Sequence, residues 1–295
     1  MRIYDPINNT PLREYRSEGP VLSSCFYDPA HALSCGLDKK VTLFDIETSS
    51  VATIGVHSGP VRVVAPITSA QAMATLVASG SWDRSVCFWD PRSPVCASKC
   101  AVPGKVFAMS VVGSKLVAAL SGRKVVVFDL DSKLEGPIQE RESSLKYQTR
   151  AVQCFPDGKG FAISSIEGRV AIEYFDLAQE VQEQRYAFKC HRTKVGGVDT
   201  VYPVNALAFH KPFGTFASGG CDGHVYIWDP VNKKRVAHLH KYPTSIAALT
   251  FSDSGRFLAV ASSYTFEEGE KDVPQQDQVF IREVQEMEVK PKTMK

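Results

Sequence analysis

The sequence predicts an all-β fold assembled from a repeated four-strand unit, and three observations carry that expectation. In Ser79-Gly80-Ser81-Trp82-Asp83-Arg84-Ser85-Val86-Cys87-Phe88-Trp89-Asp90 a tight turn separates two short β-patterned runs. The same seven-residue step from a turn aspartate to a closing aspartate recurs from Asp38 to Asp45 and from Asp222 to Asp229. Closing positions follow one another at Asp5, Asp45, Asp90, Asp129, Asp176 and Asp229, at intervals of 40, 45, 39, 47 and 53 residues. A four-stranded propeller blade takes about 40 to 45 residues. The units therefore predict a seven-bladed β-propeller with an incomplete first blade.

The turn aspartate suits its place because its short side chain bonds nearby backbone amides and tolerates unusual dihedrals. After it the residues alternate. Val86, Phe88, Val41, Leu43, Val225 and Ile227 fall on one face of their strands, and Cys87, Trp89, Thr42, Phe44, Tyr226 and Trp228 on the other. Both faces are largely apolar, which fits sheets packed between neighbouring sheets.

In chain order, Arg2-Ile3-Tyr4-Asp5 reads as the third strand of a blade and residues 12–16 as its fourth. Two strands of that blade are missing, and the expectation is an N-terminally truncated product. Ser121-Gly122-Arg123 puts glycine where the turn aspartate should stand. Ser165-Ile166-Glu167-Gly168-Arg169 puts Glu167 there, and Glu173 replaces the strand tryptophan. A glutamate and an arginine on an otherwise apolar strand are costly unless paired or functional. A last unit runs through residues 245–251, 257–261 and 279–284. Residues 264–278 read as a solvated loop. The expected division is a propeller over residues 1–285 and a charged, fraying tail over 286–295.

Composition excludes several classes. The chain has 295 residues, 44% of them hydrophobic, and a net charge of +2, so no global charge argues for nucleic acid or a membrane surface. Its apolar runs are far shorter than the roughly 20 residues of a membrane helix. Met1-Arg2-Ile3-Tyr4-Asp5 lacks the apolar core of a secretory signal, which predicts a reducing compartment and eight free thiols. Cys96 and Cys100 have no second ligand pair at zinc-finger distance, so no metal is expected. No phosphate loop, nucleophile elbow, metalloprotease helix or dinucleotide fingerprint occurs. The expectation is a binding platform with no catalytic residue and no cofactor.

In a propeller the loops leading into each blade and the turns between second and third strands open on one face. Trp82 stands in such a turn, either tucked against a neighbouring blade or serving as a partner's anchor, the preferred reading. Arg169, Lys189, His191 and Arg192, with Lys146 and Arg150, supply basic side chains nearby.

Across essentially its whole length this pattern resembles WD-repeat proteins, in which a loop histidine, a strand serine, the turn aspartate and the strand tryptophan form a hydrogen-bonded tetrad. The resemblance implies that His57, Ser79, Asp83 and Trp89 are such a structural tetrad. More specifically, Glu142-Ser143-Ser144-Leu145-Lys146-Tyr147-Gln148, Ser165-Ile166-Glu167-Gly168-Arg169-Val170-Ala171, Phe188-Lys189-Cys190-His191-Arg192, Tyr202-Pro203-Val204-Asn205 and Tyr242-Pro243-Thr244-Ser245-Ile246 resemble the Bub-three family of mitotic checkpoint proteins. The related messenger-RNA export family, Rae-one, shares some of these segments and is the alternative.

The resemblance implies a non-enzymatic kinetochore adaptor, nuclear and at kinetochores in mitosis, with the cytoplasm allowed. Its implied partners are Bub-family checkpoint kinases and a related pseudokinase, through an acidic motif, and a kinetochore scaffold carrying phosphorylated Met-Glu-Leu-Thr repeats. No membrane and no direct nucleic-acid contact are expected. The positions carried over are Trp82 and Arg169 for the acidic motif and Arg192 for phosphate.

Overall fold

The computed structural model describes residues 1–67, 76–93, 95–271 and 276–292. Strands β1 (Arg2–Asp5) and β2 (Thr10–Glu14) pair as a two-stranded ribbon. Blade 1 holds β3 (Val21–Phe26), β4 (His31–Gly36), β5 (Lys40–Asp45) and β6 (Val51–Val56). Blade 2 holds β7 (Val61–Ile67), β8 (Leu76–Ser81), β9 (Ser85–Trp89) and β10 (Cys96–Ala101). Blade 3 follows with β11 (Val106–Val112), β12 (Lys115–Leu120), β13 (Lys124–Asp129) and β14 (Gln139–Glu142). These elements fall in one compact unit, Met1–Ser143.

The second unit, Ser144–Lys295, opens with blade 4: β15 (Thr149–Cys154), β16 (Gly160–Ser165), β17 (Arg169–Tyr174), a short helix α1 (Gln179–Gln182) and β18 (Tyr186–Lys189). A separate hairpin, β19 (Arg192–Val195) and β20 (Val198–Val201), precedes blade 5, which holds β21 (Val204–Phe209), β22 (Phe216–Gly220), β23 (Val225–Asp229) and β24 (Lys234–His238). Blade 6 has three strands, β25 (Ile246–Phe251), β26 (Phe257–Ser262) and β27 (Gln278–Glu283), and α2 (Glu286–Val289) follows.

Each blade is an antiparallel meander, and the fold is an all-β propeller. The number of blades corrects the expectation. Five four-stranded sheets and one three-stranded sheet make six blades among the described residues, not seven. The unit taken as the first blade is only the β1–β2 ribbon, which has no inner strands to form a blade core.

The alternating apolar pattern does what it predicts. Val86, Cys87, Phe88 and Trp89 are all buried, because both faces of β9 are covered. Within the first unit Phe88 packs edge-on to Phe128, with ring centroids 5.9 Å apart, in a cluster drawn from blades 2 and 3. In the second unit Phe155, Phe209 and Phe216 join blades 4 and 5, and Val225, Ile227, Ile246 and Leu258 join blades 5 and 6. Burying each of these large side chains is worth about 1.5–3 kcal/mol relative to exposure.

One regularity was not expected. The first strand of every blade breaks register near its start, between Val21 and Ser23, Val61 and Val63, Val106 and Ala108, Thr149 and Ala151, Val204 and Ala206, and Ile246 and Ala248. A bulge at that end re-aims one side chain per blade. Arg62, the skipped residue of blade 2, donates to Leu22 O of blade 1 at 3.0 Å. Asn205, in blade 5, donates to Ile246 O of blade 6 at 3.1 Å.

The tail differs from the expected fraying over its first residues. Gln285 and Glu288 form a capping box, Arg282 holds Glu288 at 2.6 Å, and Val289 is buried. Thr215 Oγ1 donates to Val289 O at 2.7 Å. One apolar residue and one cap are enough to dock an otherwise charged segment. In the expected loop 264–278, Tyr264 is buried and its hydroxyl donates to Gly269 O at 2.9 Å; residues 272–275 lie outside the described residues.

Candidate functional site

The turn between second and third strands is built from the aspartate upward. In blades 1 and 2 the residue after it, Lys39 or Arg84, takes a left-handed conformation, at φ 67° and 64°, and in blade 5 Gly223 does so at 75°. The chain reverses there, and the aspartate points back into the blade. In blade 2 the Asp83 carboxylate accepts from Ser85 Oγ at 2.6 Å, Ser85 N at 3.0 Å, Ser58 N at 3.1 Å and Ser58 Oγ at 3.0 Å. His57 Nδ1 donates to it at 3.0 Å. A carboxylate only accepts, so the proton of His57 sits on Nδ1. His57 Nε2 then accepts from Ser79 Oγ at 2.7 Å, which itself accepts from Trp89 Nε1 at 2.7 Å. All four predicted tetrad residues meet.

The electrostatics agree with a structural role. Burial holds His57 below its ordinary value, against the attraction of Asp83, so the imidazole is neutral at neutral pH. Burial alone would raise the Asp83 carboxyl, but the hydrogen bonds from Ser85, His57 and Ser58 outweigh it and hold it well below the usual carboxylate range. The histidine is fully inside and the aspartate side chain 5% exposed, so no substrate reaches either. Burial also pushes the thiols of Cys25, Cys35 and Cys87 up to about 12, which leaves them protonated and inert. Among the described residues no group of three or more His, Cys, Asp or Glu is placed to hold a metal.

A second complete tetrad stands in blade 5, and it moves His191 from the expected basic surface into the interior. His191 Nδ1 donates to Asp222 Oδ1 at 2.8 Å, its Nε2 meets Ser218 Oγ at 2.8 Å, and Trp228 Nε1 donates to the same oxygen at 2.8 Å. Burial would raise the Asp222 carboxyl, and the bond from His191 overrides it and lowers it. His191 lies one residue later than its counterpart: Cys190 N bonds Gly168 O as His57 N bonds Lys39 O. Its φ of 43° swings the imidazole back to the same place.

Blades 1 and 4 tie the same loop down with other residues. In blade 1 Ser17 Oγ donates to Asp38 Oδ2 at 2.9 Å and Phe44 takes the tryptophan position. In blade 4 the turn acid is Glu167, and its carboxylate lies beside Arg169. Glu173, from the tryptophan position, is 1% exposed and accepts from Ser144 N at 3.2 Å and Ser144 Oγ at 2.8 Å. Those are the bonds that Asp83 accepts from Ser58. The break in the apolar pattern is thus a substitute tie, and it frees Glu167 to pair with Arg169 instead.

Trp82 belongs to the first unit; Arg169 and Arg192 belong to the second. Trp82 is half-buried, its backbone N–H bonds Pro60 O at 2.9 Å, and its indole Nε1 is buried with no partner among the described residues. Arg169 and Arg192 gather round the Glu167-Gly168 turn. Arg169 Nε lies 3.6 Å from Glu167 Oε2, and Lys189 is its cross-strand neighbour. Arg192 Nη2 donates to Gly168 O at 3.2 Å, and its Nη1 is 3.9 Å from Asp199. The Arg192 guanidinium is thus anchored by a backbone carbonyl. Gly168 makes this turn possible: its φ is +63°, and a Cβ there would lie 2.7 Å from Cys190 O. Three cations thus surround one turn with Glu167 and Asp199 as counter-charges, a geometry for acidic or phosphorylated chain.

Residues 48–90 and 183–229 match the family model of the WD domain, G-beta repeat; these are the two segments that carry the complete tetrads. The chain is 49% identical over 297 residues to mitotic checkpoint protein BUB3.1 of Arabidopsis thaliana, covering 99% of this chain and 86% of that protein. It is 43% identical over 287 residues to mitotic checkpoint protein bub3 of Dictyostelium discoideum, covering 96% and 85%. It is also 32% identical over 284 residues to a Poly(A)+ RNA export protein of Schizosaccharomyces pombe, covering 95% and 80%.

Proposed function

The chain belongs to the BUB3 family of WD-repeat mitotic checkpoint proteins, and from that premise we propose that it is a non-enzymatic adaptor of the spindle assembly checkpoint. It acts at kinetochores in mitosis and resides in the nucleus. Residues 1–285 are its platform. Trp82 and Arg169 bind an acidic motif of checkpoint kinases and a related pseudokinase, and Arg192 contacts the phosphate of phosphorylated Met-Glu-Leu-Thr repeats in a kinetochore scaffold.

The observation that carries this reading is the gathering of Arg169, Lys189 and Arg192 around one blade 4 turn. Guanidinium forks match carboxylate and phosphate oxygens with charge-assisted bonds. Isothermal calorimetry with an acidic-motif peptide tests it. Trp82→Ala and Arg169→Ala are each expected to weaken binding, Trp82→Ala by about 2 kcal/mol or more. Unchanged affinity in either variant removes that residue from the site. Arg192→Ala is expected to erase the preference for phosphorylated over unphosphorylated repeat peptide, and a preserved preference removes Arg192.

The identity to an RNA export protein favours a second reading, a messenger-RNA export factor that binds a nucleoporin motif and RNA at the nuclear pore. Capture of the nucleoporin motif with no capture of the kinase motif would decide for it.

A further inference from the structure

The second unit has another concave surface, on the flank where the outer strand of blade 4 faces blade 5. Tyr186 and Phe188 are the half-buried members of β18. Phe188 packs on Trp228 with ring centroids 4.6 Å apart, and Tyr186 OH donates to Pro230 O at 2.8 Å. The three rings line a pocket of about 230 Å³, below the roughly 300–1,000 Å³ of small-molecule sites and suited to a single bulky side chain. Asp229 and Lys233 line both this pocket and a larger cleft of about 1040 Å³ that Phe155, Tyr174 and Phe213 also wall.

The rim is charged one way. Lys189, Lys233 and Lys234 are exposed, and among the described residues none of the three has a carboxylate at ion-pair distance. The Lys233 ammonium lies over the Tyr186 ring, 4.8 Å from its centroid. The pocket's one acid, Asp229, is 3% exposed, and its oxygens already accept from Val231 N, Asn232 N and Asn232 Nδ2. Strand β18 is also the edge of its sheet, paired with β17 alone. A sheet edge with an apolar pocket beside it receives an extended peptide by strand addition. An incoming chain meets three lysines that form no ion pair among the described residues, and the pocket's one carboxylate is already taken up by its own turn.

We propose that this flank docks an acidic segment of a partner protein, a run of Asp and Glu interrupted by one aromatic side chain that seats against Trp228. Lys189 also neighbours Arg169, so the test relies on Lys233 and Lys234, which the blade 4 turn does not touch. A fluorescein-labelled Glu-Glu-Phe-Glu-Asp-Glu peptide is titrated into the Trp82→Ala/Arg169→Ala protein, where any binding is independent of those two side chains. Trp89 and Trp228 are then the remaining tryptophans, and Trp89 is buried. Saturable anisotropy with a matching change in tryptophan emission is expected. Reversing the rim with Lys233→Glu/Lys234→Glu, or replacing the peptide's phenylalanine by alanine, is expected to weaken binding at least about tenfold, the scale of an interface anchor. Absence of saturation, full binding by the charge-reversed protein, or equal binding of the alanine peptide or of oligo(dT) would each overturn the proposal. The last two outcomes would mean that bare charge acts without a pocket.

Discussion

Replacing Asp83 and Asp38 by alanine in parallel separates the work of the tetrad from that of a turn aspartate as such. Asp83→Ala leaves His57 Nδ1–H and Ser85 N–H inside the blade without their acceptor; the buried Ser85 hydroxyl, which also donates to Asp83, is left with Cys87 Sγ at 3.7 Å, and Ser58 is exposed and returns to water. A buried donor left unmade costs about 1–3 kcal/mol. Two of them give about 2–6 kcal/mol, a span centred on the about 3–5 kcal/mol for removing one partner of a buried pair, which is the range taken here. Asp38 accepts from Ser17 Oγ at 2.9 Å and Lys40 N at 3.2 Å, both partly open to water, so Asp38→Ala is expected to cost about 1 kcal/mol. At roughly 2–4 °C per kcal/mol, thermal unfolding followed by circular dichroism at pH 7 should show drops of about 6–20 °C for Asp83→Ala and about 2–4 °C for Asp38→Ala. Equal drops in the two variants, or an Asp83→Ala protein within about 0.5 kcal/mol of wild type, would refute the reasoning.

His57 is buried with its value lowered from 6.5. Its stabilising contribution is therefore complete above that value and is lost as pH falls below it. Wild-type melting temperature is expected to fall from pH 7 to pH 5, and His57→Gln to flatten part of that slope; identical slopes would show that another group sets it. Gly220→Ala would place a Cβ 2.3 Å from His191 Nδ1; a loss of about 1–3 kcal/mol in urea unfolding is expected, as for other overpacked sites. Gly168→Ala combines a positive φ with a backbone clash and should weaken phosphopeptide binding beyond its effect on stability, because Arg192 is anchored to that carbonyl. Thiol labelling of the native protein at pH 8 should reach half-buried Cys96 before Cys35, Cys87 and Cys190; uniform labelling by mass spectrometry would contradict the packing described.

The blade 2 tetrad was legible because all four of its residues keep their places in the repeat. Blade 5 kept Asp222 and Trp228 in register but hid its histidine, since the β19–β20 hairpin stretches the interval to the turn aspartate from 26 residues to 31 and the imidazole arrives one residue late. Alternation flagged Glu173 as out of place, yet its partner Ser144 lies 29 residues away, beyond any local pattern. The inner-strand bulges left no trace in composition: the skipped residues are Leu22, Arg62, Phe107, Arg150, Asn205 and Ala247, with nothing chemical in common. The docked tail could have been found from Gln285 and Glu288 at capping-box spacing, with the apolar Val289 directly after them.

The β19–β20 hairpin leaves the blade at His191 and comes back at Tyr202, whose N–H bonds His191 O at 2.9 Å. Departure and return therefore occupy one point, and the histidine beneath is locked from below by Ser218 and Asp222. Beyond Arg192, whose guanidinium is held by Gly168 O, the tip of the hairpin hangs from a closed ring of bonds. The fold thus owns a socket there: a tag or a foreign loop spliced between β19 and β20 is expected to leave the register of blade 5 and the Arg192 anchor as they are.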